Sequence, residues 1–352
     1  MNPFISCIFL LASLLSAPLQ EVKSVSVSSL AQRAESGDAQ AQLELALAYD
    51  EGKGVPQDAA RAVEWFRKAA EQGNARAQNS LGVLYAQGRG VPRDRQEAVR
   101  WYKKAAKQGL TEAIYNVAIS YYNGEGIEEN MPLAYAWMLA AQKRGDPQAA
   151  EALEHIRQSL NERLEFGELN LAQLYEKGEE IPQDMPAAAN MYLEAAKHER
   201  DLWVVEAQDK LCVLYMNGTG VPQDYAQARV WCKQSGSAIS HVALGHMVEK
   251  GLGGDKNPKE ALDYYRKAAA DSFGEGYMET ARLQAESGSH DGEKKAYFWY
   301  TIAAARNVPG ANEKLQAAAL HLNAKEIKNQ QEQANRWLLM PNWMQASEAK
   351  RH

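Results

Sequence analysis

Between Ala75 and Gly109 the apolar residues recur three and four positions apart, the spacing of a single helical face. Ala77, Leu81, Leu84 and Tyr85 line one such face, and Ala98, Trp101, Tyr102 and Ala105 line another beyond the stretch GRGVP. The pattern predicts two antiparallel helices joined by a short turn. Gly88 stands where a helix end takes a left-handed residue, and Pro92 stiffens the exit from the turn. Asp94, with Glu97 three residues on, reads as a capping box for the second helix. Gly82 has no side chain, so the second helix can approach the first closely. A phosphate-binding reading of the glycines fails on context. Such a loop leaves a buried strand, and here the strand, the lysine and the serine are all missing.

The pattern is periodic. LALAYDEGKGVPQDAARAVEWFRKAAEQGN (45–74) is repeated as LGVLYAQGRGVPRDRQEAVRWYKKAAKQGL (81–110), and Tyr49, Tyr85 and Tyr121 lie 36 apart. Gly37, Gly73, Gly109 and Gly145 keep the same interval. Further copies cover 171–197 and 211–236, with weaker ones at 244–269 and 277–305. A second duplication relates 134–153 to 296–315 at a constant offset of 162. After each of these a longer amphipathic helix is expected, over 149–166 as an internal cap or kink and over 311–338 as a terminal cap. Helices of about a dozen residues are marginal alone in water. Stacked pairs gain stability from each unit and from each interface between neighbours.

Residues 81–109 match nearly every position of L-G, Y, G-x-G-V, D, A-x-x-W-[YF]-x-[KR]-A-A and G. That motif resembles the Sel1-like repeat, a relative of the tetratricopeptide repeat, and the resemblance runs roughly from residue 37 to 322. Ala46, Ala118, Ala172 and Cys212 replace the helix glycine and Glu180 the second loop glycine, which predicts slightly wider helix spacing there. The resemblance implies an all-α fold: an α-solenoid of antiparallel helix pairs in a right-handed superhelix, of bacterial origin. It divides the chain into repeat segments at 37–166 and 167–338, each closed by a cap helix, followed by a tail at 339–352.

Composition changes this picture little. Hydrophobic residues at 45% and charged residues at 24% describe an ordinary folded chain, and the eight tryptophans and sixteen tyrosines supply its core. A formal net charge of −6, with no basic stripe to offset it, argues against a nucleic-acid partner. Residues 1–22 are a signal peptide or an N-terminal anchor. The apolar run from Phe4 to Leu19 is short for a bilayer span, and no basic residue precedes it. The expected location is periplasmic or secreted, the alternative being membrane attachment through that uncleaved segment.

Without Cys7 the chain keeps Cys212 and Cys232, at positions equivalent to Gly82 and Tyr102, which face each other across one hairpin. A disulfide and two buried thiols both fit. No HExxH, CxxC or GxSxG is present, so no catalytic residue, metal ligand or cofactor site is assigned.

What remains is a binding surface. The resemblance implies a concave face of first helices, with outward positions at Arg76, Asn79, Val83 and Ala86 in one unit. In the next unit they are Glu112, Tyr115, Ile119 and Tyr122. The two tyrosines suit a protein partner as exposed anchors, or they contact the neighbouring hairpin. The leading expectation is a non-catalytic protein–protein interaction scaffold in the bacterial envelope, in signalling or in host contact. The rival is a cell-wall-related or β-lactam-binding enzyme like the cysteine-rich relatives, which the missing serine–lysine motif disfavours. An endoplasmic-reticulum adaptor is a third reading, with no second hydrophobic span to support it.

Overall fold

The structure, a computed structural model, describes residues 27–160, 164–198 and 202–340, together with 345 and 349. The expected signal or anchor at 1–22 lies outside the described residues, as does most of the tail. Among the described residues every regular element is an α-helix, and none is long and apolar enough to cross a membrane.

One compact unit ends at Glu129 and a second begins at Asn130. The first holds α1 (Val27–Glu35), α2 (Ala39–Glu51), α3 (Ala59–Glu71), α4 (Ala75–Gln87), α5 (Arg95–Lys107) and α6 (Thr111–Asn123). Here α2 packs on α3 and α4 on α5 as hairpins, and α3 meets α4 and α5 meets α6 between repeats.

The second unit opens with α7 (Met131–Lys143), α8 (Ala149–Leu160), α9 (Leu164–Lys177), α10 (Met185–Ala195), α11 (Leu202–Asn217) and α12 (Tyr225–Ser235). It continues with α13 (Ala238–Lys250), α14 (Pro258–Ala270), α15 (Gly274–Ala285), α16 (His290–Ala305), α17 (Ala311–Ala319) and α18 (Ala324–Leu339). Its hairpins are α9–α10, α11–α12, α13–α14 and α15–α16.

Short polar side chains start the helices. The Asp94 carboxylate accepts from the Glu97 N–H at 2.9 Å, and Asp38, Asp58, Asn74, Asp184 and Asp224 cap their own helices in the same way. The reciprocal half of the expected box is not made: the Glu97 carboxylate turns to Arg100 at 3.0 Å. A complete capping box occurs at Asn323 and Glu326.

The loop glycines serve packing. Gly90 has φ +72°, and a Cβ there would overlap the Ala59 carbonyl at the start of α3. Gly126 sits in the same way on Arg95 at the start of α5. Each loop therefore lies against the N-terminus of the preceding repeat's second helix, closer than any side chain allows.

The expected long cap helix over 311–338 is broken in two. Asn323 caps α18, its side chain accepting from the Lys325 and Glu326 N–H groups, so the helix restarts four residues after Leu320. The duplicated passage builds the same arrangement twice. Both α8 and α9 pack on α7, and both α17 and α18 pack on α16.

Candidate protein-binding face

In the first unit, the first helices α2, α4 and α6 are joined at their tips and flanks by side chains. Gln42 Nε2 donates to the Ala34 carbonyl at 3.0 Å, and Gln72 Nε2 donates to Gln42 Oε1 at 2.7 Å. One repeat later Gln78 donates to the Ala70 carbonyl at 3.0 Å, and Gln108 donates to Gln78 at 2.8 Å. Gln42 and Gln78 are buried and bond to the Ala34 and Ala70 carbonyls away from water, while Gln72 and Gln108 lie exposed at the rim of the joint. The repeat tyrosines are held from the second helices. Arg67 donates to the Tyr85 hydroxyl at 2.6 Å and Lys103 to the Tyr121 hydroxyl at 3.0 Å.

The residues expected to point outward divide. Arg76 and Glu112 are exposed, and Val83, Ile119 and Tyr122 are half-buried. Asn79 and Tyr115 are buried, Tyr115 being only 9% exposed. Their shared register position, three before the helix glycine, turns into the seam between neighbouring hairpins. Asn116 Nδ2 donates to Asn79 Oδ1 there at 2.9 Å. Leu43, at the same register in the first repeat, is buried too. The open part of the face is thus a row of half-buried apolar side chains, Leu47, Val83 and Ile119, with Tyr122 beside it and charge at the rim.

In the second unit the equivalent face is charged, which the choice of anchors in the first unit overlooked. Lys210 on α11 donates to Glu176 on α9 at 2.8 Å. Arg282 on α15 reaches Glu249 on α13 at 2.6 Å and Glu279 on its own helix at 2.7 Å. Burial pushes the Glu249 carboxyl up, but bonds from Arg282 and Tyr265 outweigh it and hold the group below the usual range. On α11 and α13, Val213 and Ile239 are 41% and 54% exposed. The signal was in the sequence: position four after the helix glycine carries Glu176 and Glu249 where the first unit has Ala86 and Tyr122.

Cys212 and Cys232 are brought together. Both are fully buried between α11 and α12, and the structure joins them as a disulfide with Cα atoms 5.2 Å apart. Among the described residues no group of three His, Cys, Asp or Glu side chains could hold a metal ion.

Comparison with known proteins bears on the family. The Sel1 repeat family model matches residues 39–74, 75–110, 111–146, 166–199, 205–240, 238–272 and 288–308. A solved structure of a protective antigen from uropathogenic Escherichia coli, displaying an SLR fold, is 31% identical. That match covers 92% of this chain and 72% of the antigen, with a TM-score of 0.43. A Sel1 repeat protein from Oxalobacter formigenes is 29% identical, over 70% of this chain and 93% of its own, with a TM-score of 0.34. Among curated proteins none matches.

Proposed function

The chain belongs to the Sel1 repeat family, and from that premise we propose that it is a non-catalytic scaffold whose first-helix face holds a protein partner. Sel1 repeat proteins are generally protein-interaction scaffolds. The observation that supports the reading here is the face of the first unit. Val83, Ile119 and Tyr122 keep part of their apolar surface in water while the polar groups behind them bond to each other. Half-exposed apolar side chains on a rigid helical frame lose little conformational freedom when a partner covers them.

The rival reading as a cell-wall or β-lactam-binding enzyme draws no support from the side chains. Glu176 and Glu249, whose carboxyls are held below the usual range, are taken up in pairs with Lys210 and Arg282 between neighbouring helices. Their shifts follow from that packing. The proposal extends to location. Export from a bacterial cytoplasm is favoured by the apolar run at Phe4–Leu19 and by the Cys212–Cys232 pair, which persists as a disulfide in oxidising compartments. N-terminal anchoring is the alternative, and a role in the envelope, in signalling or in host contact follows from either.

The test is site-specific photocrosslinking in the intact producing cell. A photoreactive side chain at Ile119 or Tyr122 should trap a discrete polypeptide. The same group at Arg100, exposed on the second helix α5, should trap none. Crosslinks from Arg100 alone, or from no position, would overturn the assignment.

A further inference from the structure

The helix α18 is tied down at one end by titratable groups. His290 opens α16, and its Nε2 lies 2.7 Å from Glu326 Oε1 on the first turn of α18. Its Nδ1 lies 3.3 Å from Glu293 Oε2 on its own helix. His321, in the turn between α17 and α18, places Nδ1 3.7 Å from Glu293 Oε1. The pairing is reciprocal, since the α16 side and the cap side each contribute one histidine and one carboxylate. Glu326 is also positioned by its own backbone, because Oε2 accepts from the Asn323 N–H at 3.0 Å. The other charges beside the cluster are Lys294, which opposes a cation at His290, and Asp291, which Lys295 neutralises at 2.9 Å.

The opposite end of α18 is held differently. Trp337 is buried edge-on against Trp299 and Tyr277, with ring centroids at 5.6 and 5.7 Å. Gln331 donates to the Tyr297 hydroxyl at 3.0 Å.

We infer that the first turn of α18 is a pH-operated latch, in which protonated His290 bridges Glu326 and Glu293 and fastens the cap to α16. When the imidazole is neutral it can donate through one ring nitrogen at a time, so one of the two carboxylates loses its partner and the cationic attraction disappears. Hydrogen bonds to Glu326 and Glu293 raise the His290 pKa from its ordinary value. A raised histidine contributes stability that is complete below about pH 6.5 and is lost as pH climbs through the raised value. At the acid end Glu326 stays ionised, because His290 and the Asn323 N–H hold it below the usual carboxylate range. The latch is therefore closed in mild acid and open in mild base. Above neutrality α18 keeps its aromatic contacts and the Gln331–Tyr297 bond but loses this clasp on its first turn.

Other histidine–carboxylate pairs occur in the same unit, among them His246 with Glu279 and His198 with Glu168, so the test isolates His290 by substitution. Hydrogen exchange of the full chain would be followed by mass spectrometry from pH 5.5 to 8.5, corrected for the intrinsic exchange rate. Protection of residues 324–331 should fall severalfold across that range, while α4 stays level. His290→Gln keeps a donor toward Glu326 without a titrating group, and Glu326→Gln keeps the acceptor for the Asn323 N–H. Each should flatten the pH dependence at 324–331 while leaving protection around Trp337 in place. A level wild-type profile would overturn the latch, and so would an unchanged slope in either variant.

Discussion

Gly82 and Tyr102 act as one unit across the α4–α5 hairpin. A Cβ at Gly82 would stand 2.6 Å from Tyr102 Cε1 and 3.1 Å from the Ala98 carbonyl, and the Tyr102 ring is itself buried. Gly82→Val should therefore cost about 1–3 kcal/mol through overpacking. Trp101, 5% exposed on the same helix, should cost about 3–5 kcal/mol when cut to Ala. Denaturant unfolding measures both, and midpoints equal to wild type would mean that the inter-helix face is misassigned. The Gly82 role was legible because its partner sits at a fixed register distance and both residue types are unusual in a helix seam. The burial of Tyr115 was not. A tyrosine at that register reads equally as anchor or as packing until the neighbouring hairpin is in place.

At the scale of elements, the hairpins and their turns were legible, because glycine, proline and a capping Asp leave one connection open. The glutamine bonds between repeats were not foreseen, although Gln42 and Gln78 keep the period of 36, as do Gln72 and Gln108. Polar residues on a helix read as solvated until the tip of the preceding hairpin covers them. Gln78→Leu should cost about 1–3 kcal/mol, since it strands the Ala70 carbonyl at a buried joint. A stability unchanged by that substitution would show that water enters the joint. The α11–α12 hairpin carries a covalent counterpart. Cys212 and Cys232 lie 20 residues apart, so closing that loop should contribute about 3 kcal/mol in the chain-entropy model. Alkylating the protein purified from its producing cell, after denaturation without reductant, should leave both thiols unlabelled. Labelling of both would replace the bond by two packed thiols, and with it remove one support for export.

Across the whole molecule, one repeat has been put to different uses. The second unit contains the passage built twice, α7 with α8 and α9, then α16 with α17 and α18. In the first copy the helix that follows, α9, begins a new hairpin with α10. In the second, α18 carries Glu326 and Trp337 in place of the next repeat's motif. The family pattern was readable from the chain. The division of labour between faces was not, because it depends on which register positions stay open once neighbours pack. That dependence separates the two tyrosines first considered together. Tyr115→Ala removes a ring from the seam beside Asn79 and should lower stability by about 3 kcal/mol, with partner binding weakened only through lost fold. Tyr122→Ala alters a half-buried side chain on the open row and should leave helicity and the melting midpoint close to wild type. Its crosslinked partner should nevertheless be captured about thirtyfold less tightly, the effect of roughly 2 kcal/mol at an interface anchor. Circular dichroism melting alongside titration of that partner reads both effects on the same samples. If Tyr122→Ala loses stability as Tyr115→Ala does, the open row is core. If it loses neither stability nor affinity, the partner binds elsewhere on the chain.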